Sequence, residues 1–332
     1  MLQSGQDAQA IAQCAQALRA GELVGLPTET VYGLAANAEN DAAVAQIFTL
    51  KGRPSSHPLI VHVADAAAAQ HFAAVVPAFA ARLMQAFWPG PLTLILPRHP
   101  ERAALAAAGQ DSVGLRCPAH PVAQALLQAC AAQTPPVLGL AAPSANRFGR
   151  LSPTTANHVQ AELGSALRIL DGGACAVGIE SSIVDCTAEV PVGLRPGAVS
   201  WAQIETACGL RVRMPAELAS HQAPRSSGSL ASHYAPQAKL RLMDARALQT
   251  ALDLLGGDAA HIAVYARTEL HSRAAQLVRR RMPDDAAATA QQLFAVLREF
   301  DDQRVKLIWI ETPPDAPDWL AVHDRLLRAA AD

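Results

Sequence analysis

The stretch 26–63 contains residues whose types and spacing could do chemistry. A hydroxyl-rich turn, PTET at 27–30, precedes KGRP at 51–54 and an apolar run that contains His62. Basic side chains beside a glycine suit a polyanion such as a nucleotide triphosphate. Hydroxyls and an imidazole nearby suit a small polar co-substrate, so this stretch predicts a site for two ligands.

Polar side chains also stand at the ends of several predicted strands further along the chain. They are Arg116, PSAN at 143–146, ESS at 180–182, and Arg195. Polar residues at strand ends are the usual way in which an α/β sheet builds a site. The sequence therefore predicts that these clusters and the stretch 26–63 form one site.

Each of these residues also has a purely structural interpretation. The helix dipole alone favours Lys51 and Arg53 at the end of a helix. His62 in an apolar strand is more often a core histidine than a ligand. Arg116 and Arg195 could be ordinary ion-pair residues. It is the occurrence of all these clusters in order, rather than any one of them, that indicates a site.

Several common sites are absent from the sequence. There is no G-x-x-x-x-G-K-[ST], so a standard phosphate loop is excluded. H-E-x-x-H and G-x-S-x-G are also missing, and Ser144 does not stand in a nucleophile elbow. The six cysteines are scattered without a C-x-x-C pair, so we expect buried, reduced thiols. A formal net charge of −2 argues against a polycation that coats nucleic acid.

Predicted strands and helices alternate along the chain and would position these residues. Helices are predicted over 7–20, from Asn40 or Asp41 to Lys51, over 122–131, and from Ser152-Pro153 onward. Apolar strands are predicted over 23–26, 59–63, 92–96, 112–116, 137–142, 167–170, 181–185 and 192–195. The pattern predicts a mixed α/β domain over 1–211, a linker over 212–237, and a small α/β domain over 238–332 with a parallel sheet.

The sequence resembles the YrdC/Sua5 family in the order of its motifs, which are LPTETVYGL, KGRP with PLIVHV, WPGPLTLIL, LRCP, PSAN, ESSIVD and LRPG. The resemblance spans residues 7–208, and the HYAP linker with the trailing domain resembles the longer, two-domain Sua5 form. It implies a YrdC-like twisted mixed sheet with helices, followed by a small C-terminal α/β, Rossmann-like Sua5 domain.

The resemblance also implies an activity. Members of this family make L-threonylcarbamoyladenylate from L-threonine, bicarbonate and ATP, and release pyrophosphate. A downstream tRNA-modifying threonylcarbamoyltransferase complex uses the product on the adenosine next to the anticodon. Mg²⁺ would accompany ATP, held mainly by phosphates and water. The sequence offers no dedicated carboxylate cage for the ion, and Glu29 and Glu180 are only loose candidates.

By resemblance, the site residues fall into three groups. Lys51 and Arg53 would be the catalytic residues that hold the triphosphate and stabilise charge on the leaving group. Threonine would be bound by Thr30, His62, Arg116, Ser144 and Ser182. The nucleotide would be surrounded by Lys51, Arg53, His57, Ser112, Ala142, Asn146, Ser152, Arg195 and Tyr234. Tyr234, on the linker, would close over the site as a lid that excludes water.

Three positions depart from the family pattern. Asn often stands at the place of His57, so the resemblance supports an ATP contact at this position less strongly than at the others. Thr often stands at the place of Ser182, where the hydroxyl is retained. The linker reads Ser-Ser-Gly at 226–228, where the family often has Ser-Pro-Gly, so this loop is expected to be less rigid.

Two alternative functions are compatible with parts of the sequence. One is a non-catalytic YrdC-like module with weak RNA binding, against which the near-neutral charge and the scarce aromatics stand. The other is a carbamoyl-adenylate enzyme of hydrogenase maturation, whose zinc-finger segments would need C-x-x-C pairs. We expect a cytoplasmic protein without a membrane segment, because no secretion signal and no run of about 18 apolar residues appear.

Overall fold

The computed structural model describes residues 1–218, 222–228 and 233–331. The chain divides into two compact units, Met1–Phe148 with Ser152–Ser229, and Gly149–Leu151 with Leu230–Asp332. Parts of the predicted linker, residues 219–221 and 229–232, lie outside the described residues. The domain boundaries expected at 211 and 238 therefore stay predictions.

In the N-terminal unit, the described residues form a ten-stranded sheet. Its strands are β1 (Leu2–Ser4), β2 (Val24–Leu26), β3 (Gly33–Asn37), β4 (Ile60–His62), β5 (Leu92–Pro97), β6 (Ser112–Arg116), β7 (Leu140–Ala141), β8 (Arg168–Asp171), β9 (Ser182–Asp185) and β10 (Val192–Arg195). The order is β1-β8-β2-β3-β7-β4-β6-β5-β9-β10. Parallel pairs such as β4 with β6 stand beside antiparallel pairs such as β5 with β6, which confirms the predicted mixed sheet.

Helices cover the sheet and bury two apolar clusters. They are α1 (Ala8–Arg19), α2 (Asp41–Lys51), α3 (Ala66–Ala69), α4 (Ala78–Phe87), α5 (Pro121–Ala131), α6 (Ala156–Leu163) and α7 (Trp201–Cys208). In β3, Leu34 and Ala36 join the cluster that contains α2, α4 and α7, whereas Ala35 joins the cluster of α1 and α5. Successive side chains of a strand point to opposite faces, so the two clusters lie on the two faces of the sheet.

Helix α2 is fixed at both ends by its local sequence. The Asn40 side chain accepts a hydrogen bond from the backbone N–H of Ala43 at 3.1 Å, as predicted for the helix start. Gly52 ends the helix in the left-handed conformation, with a φ of 62°, which glycine adopts without a side-chain clash. The end of the helix at Gly52 leaves Lys51 on the last helical turn and Arg53 at the start of the following loop.

Two local predictions are wrong. The helix expected from Ser152-Pro153 begins three residues later, because Thr155 caps α6 by accepting from the backbone N–H of His158. The strand expected over 137–142 is reduced to β7, since the backbone N–H of Val137 still donates to Cys130 at the end of α5. Both corrections move Ser152 and the residues before β7 into loops.

The C-terminal unit contains a four-stranded sheet in the described residues. Its strands are β11 (Lys239–Met243), β12 (Ile262–Ala266), β13 (Val278–Arg281) and β14 (Leu307–Glu311), in the order β11-β14-β12-β13. Its helices are α8 (Ala245–Leu255), α9 (Ala286–Asp302) and α10 (Leu320–Ala330). The three strand pairs are parallel, which confirms the predicted parallel sheet.

The cysteines behave as predicted from their spacing. All six are free thiols and all are buried. Burial raises the pKa of Cys14 and Cys117 to about 11 and that of Cys130 and Cys175 to about 12. Among the described residues, every helix is too short or too polar to cross a bilayer.

Candidate active site

Lys51 joins helix α2 to the loop that follows β7. Its ammonium Nζ donates to the carbonyl oxygen of Ser144 at 2.6 Å and also to that of Asn146. The lysine is buried, and this burial together with the nearby charge of Arg53 lowers its pKa well below the usual value. The ammonium has three N–H donors, so in the described part of the chain one stays available to a ligand.

Arg53, in the loop after α2, lies beside the aromatic ring of Phe148, in the loop after β7. Its Nη2 donates to the carbonyl oxygen of Pro58 at 2.9 Å, and its guanidinium lies 5.7 Å from the ring centre of Phe148. The imidazole of His57 packs edge-on against the same ring at 5.5 Å. The structure thus brings together two of the basic residues predicted to contact ATP.

Arg53 and Arg195 converge on one residue, Ser227. Arg195, at the end of β10, donates from Nη1 to the Ser227 carbonyl oxygen at 3.1 Å and from Nε to the Ser181 carbonyl oxygen at 3.0 Å. Nη2 of Arg53 lies 3.5 Å from the Ser227 hydroxyl, which donates to the Pro58 carbonyl oxygen at 2.8 Å. Two buried guanidiniums that reach one residue form a pocket of positive charge suited to a polyphosphate.

A second polar cluster surrounds Arg116, at the end of β6. Its guanidinium donates from Nη1 to the Thr30 hydroxyl at 2.8 Å and from Nε to the Gly90 carbonyl oxygen at 3.3 Å. Its Nη2 lies 2.7 Å from a carboxylate oxygen of Glu29. Burial is the largest single influence and opposes ionisation of Glu29, but the charge and hydrogen bond of Arg116, together with backbone hydrogen bonds from Glu29 and Ala119, lower the pKa of Glu29.

His62 lies directly across from Arg116, since the two residues are register partners of β4 and β6. The imidazole is buried, and this burial, with the charge of Arg116, lowers its pKa to about 3. His62 is therefore neutral near pH 7 and can offer only neutral hydrogen-bonding groups to a ligand.

The predicted serines are buried or half-buried in the same unit. The Ser182 hydroxyl donates to the Val199 carbonyl oxygen at 2.6 Å and accepts from the Val199 N–H at 3.2 Å. The Ser152 hydroxyl donates to Glu180. Ser112 lines a small cavity that the linker residue Ser226 also lines.

Three further residues are predicted to contact ATP. Ala142 and Asn146 lie in the loop after β7, and Tyr234 lies in the C-terminal unit. The backbone N–H of Ala142 donates to the Ile60 carbonyl oxygen at 3.0 Å, and Asn146 is buried. Tyr234 belongs to the C-terminal unit, where its ring lies 5.5 Å from that of Phe294 and 5.3 Å from the Arg325 guanidinium. Its role as a lid stays a prediction.

Sequence reasoning did not assign roles in ligand binding to Ser181 and Ser227. Both contact Arg195, and Ser181 also lies 2.7 Å from Thr93 through the two hydroxyls. Small hydroxyl residues in loops carry no pattern of their own. The departure of Ser227 from the family motif was the available signal.

The carboxylates near the site do not form a metal cage. In the described chain, His, Cys, Asp and Glu nowhere gather in groups of three or more that could hold a metal ion. Glu29 forms an ion pair with Arg116, and Glu180 accepts from Ser152. This set fits an Mg²⁺ that arrives with ATP and keeps phosphate and water ligands.

Fold and site together define a mixed α/β protein with a buried cluster of cationic side chains, Lys51, Arg53 and Arg195, in its N-terminal unit. Residues 16–197 match the Sua5/YciO/YrdC family described as "Telomere recombination", and residues 199–331 match the C-terminal domain of threonylcarbamoyl-AMP synthase. The chain belongs to the Sua5/YrdC family, in its two-domain form. Its curated relatives are synthases, so this is a family of enzymes.

Similarity to individual relatives extends over nearly the whole chain. A threonylcarbamoyl-AMP synthase of Bacillus subtilis is 39% identical over 336 residues, covering 96% of this chain and 92% of the relative. One from Schizosaccharomyces pombe is 33% identical over 354 residues, covering 93% and 85%. The crystal structure of Pyrococcus abyssi Sua5 complexed with L-threonine has a TM-score of 0.88 at 33% identity, covering 98% of this chain and 95% of that one.

Proposed function

We propose that the protein is an L-threonylcarbamoyladenylate synthase, a nucleotidyltransferase that forms threonylcarbamoyl-AMP and pyrophosphate from L-threonine, bicarbonate and ATP. The observation that carries the proposal is the convergence of Arg53 and Arg195 on Ser227, beside the buried ammonium of Lys51. The relatives named threonylcarbamoyl-AMP synthase and the threonine complex of P. abyssi Sua5 support it.

The triphosphate of ATP binds among the cationic side chains of Lys51, Arg53 and Arg195. A carbamate oxygen attacks the α-phosphorus while the bond to pyrophosphate breaks, so negative charge grows on the leaving group. Lys51, Arg53 and Arg195 neutralise that charge from fixed positions, which is the main help that such a transfer needs. Mg²⁺ that arrives with ATP would be held mainly by phosphates and water, and would supply further charge neutralisation.

Threonine occupies the cluster around Arg116, whose guanidinium pairs with the substrate carboxylate. Thr30 and neutral His62 supply hydrogen-bonding groups beside it. Ser144 and Ser182 complete the threonine contacts, and a lone pair of the Ser182 hydroxyl remains for this after its two backbone hydrogen bonds. The carbamate is already an anion, so the adenylation step requires no general base.

The nucleoside lies among His57, Ser112, Ala142, Asn146 and Ser152. Tyr234 acts as a lid residue that excludes water, because the mixed anhydride product hydrolyses readily. The product then serves the tRNA-modifying threonylcarbamoyltransferase complex, which transfers the group to the adenosine next to the anticodon.

The test is pyrophosphate release by purified protein with ATP, Mg²⁺ and bicarbonate, with and without L-threonine. We expect release, and a threonine-containing adenylate, only when threonine and bicarbonate are both present. Lys51→Ala should abolish it, whereas the exposed Lys239→Ala should not. Threonine-independent turnover would favour the alternative carbamoyl-adenylate enzyme, whereas salt-dependent RNA binding by folded protein without turnover would favour the RNA-binding alternative.

A further inference from the structure

Glu29 is a half-buried acid for which the proposed reaction has no role so far. It lies in the turn between β2 and β3, and its side chain is 12% exposed, against 5% for Arg116. Both carboxylate oxygens are shielded from solvent. The backbone carbonyl of Glu29 accepts from the N–H of Val177 at 2.8 Å, which fixes the turn. A charge in this environment is costly unless it is paired.

The contacts of Arg116 leave room for a ligand. A guanidinium has five N–H donors, and three contacts are made with Gly90, Thr30 and Glu29. Within the described residues, two donors therefore remain, which is the number that a carboxylate accepts in a forked contact. Glu29 interacts with Arg116 and with the backbone N–H groups of Glu29 and Ala119. It keeps acceptor capacity beyond these three, because an ionised carboxylate offers about four lone-pair sites.

Charge balance restricts the class of ligand. Glu29 and Arg116 together carry no net charge, so a simple anion or cation bound between them would leave one charge uncompensated in a buried place. A zwitterion adds no net charge and presents both signs. Its carboxylate matches Arg116, and its ammonium matches Glu29.

We propose that Glu29 is a specificity-determining residue that binds the α-ammonium group of the amino-acid substrate while Arg116 binds the carboxylate. This inference rests on the proposed function and extends it from the carboxylate to the amine. It makes the site selective for α-amino acids over hydroxy acids of the same shape. It also orients the nitrogen that carries the carbamoyl group in the product.

The test compares two ligands by calorimetric titration without turnover. One is L-threonine, and the other is its 2-hydroxy analogue, in which a hydroxyl replaces the α-amino group. Wild-type protein should bind threonine more tightly than the analogue. Glu29→Gln keeps the shape but removes the charge, so it should weaken threonine binding by roughly tenfold or more. Binding of the analogue should change far less, so the preference should collapse.

A purely positioning role gives a different result. If Glu29 only holds Arg116, Glu29→Gln weakens both ligands by the same factor and the preference persists, which overturns the inference. Unchanged threonine binding overturns it as well. If Glu29→Gln does not fold, Glu29→Asp replaces it. This variant withdraws the carboxylate by one methylene, so it should also lower the preference for threonine. An unchanged preference overturns the inference.

Controls separate this inference from the proposed function. Glu39→Gln removes a carboxylate of the same kind, one that pairs with Arg102 at 2.9 Å away from the cluster, and should leave both affinities unchanged. Wild-type protein that neither binds threonine nor releases pyrophosphate contradicts the proposed function itself. Wild-type protein that does both, with an unchanged preference in the variant, contradicts only the role of Glu29.

Discussion

The ammonium of Lys51 lies 2.6 Å from the carbonyl oxygen of Ser144, and it also donates to Asn146. The last residue of α2 thereby holds the PSAN loop by its backbone. The same ammonium is proposed to contact the triphosphate, so loop order and phosphate binding depend on one side chain.

Replacing Lys51 should therefore affect the loop as well as the reaction. Lys51→Met keeps most of the side-chain length but leaves the carbonyl oxygens of Ser144 and Asn146 without this donor. We expect about a hundredfold or greater loss of pyrophosphate release, as for other charge-stabilising donors. Hydrogen–deuterium exchange of residues 143–148 should become faster. Lys239→Met should change neither quantity, and lost activity with unchanged exchange would contradict the link.

In the proposed ATP complex, Ser227 would compete with the triphosphate for two arginines. Its carbonyl oxygen takes a donor of Arg195, and its hydroxyl lies beside Arg53. Ser227→Ala removes the hydroxyl bond to Pro58, which is worth about 0.5–1.5 kcal/mol net. We expect the segment to loosen and ATP affinity, measured by titration, to rise roughly two- to tenfold. The exposed Ser165→Ala is the matched control, and weaker ATP binding in Ser227→Ala would contradict the competition.

His62 should make stability depend on pH. Its pKa is about 3 in the folded protein and near 6.5 in the unfolded chain. Between these values only the unfolded state binds the proton, so the free energy of unfolding falls as pH falls. From pH 7.5 to 5 the loss from this residue is about 2 kcal/mol. Urea unfolding of wild type and His62→Asn should show that difference, and equal pH dependence would refute it.

Glu311 ties together the ends of two strands in the C-terminal unit. It is buried at the end of β14 and accepts from the backbone N–H groups of Arg267 and Thr268 at 2.8 and 2.7 Å, and from their side chains. Glu311→Gln replaces an acceptor oxygen by a donor that faces these donors. We expect the free energy of unfolding to fall by about 2–4 kcal/mol. Exposed Glu269→Gln should change it little, and equal effects would contradict the assignment.

Local sequence predicted those elements whose ends it specifies. Asn40 and Gly52 mark α2, and the apolar runs of β5 and β6 were found with nearly correct bounds. Strand β3 was not predicted, because its sequence GLAAN lacks β-branched and aromatic residues and owes its conformation to pairing with β2 and β7.

The candidate site could be predicted as a set of residues but not as a set of contacts. Motif order indicated Arg116, Lys51 and Arg53. The pairing of Glu29 with Arg116 joins positions far apart in the chain, in the turn before β3 and at the end of β6, and local sequence does not specify it. The start of α6 was misplaced because SPTT at 152–155 offers several capping residues, and the fold uses Thr155.

The burial of all six thiols makes the folded chain a convenient background for site-directed labelling. Thiol reagents attack the exposed thiolate, and the native cysteines are buried, most of them with a raised pKa. A cysteine introduced at an exposed position such as Ser165 would then react first. A single fluorophore could be attached without removing any native cysteine, so the core packing would stay intact.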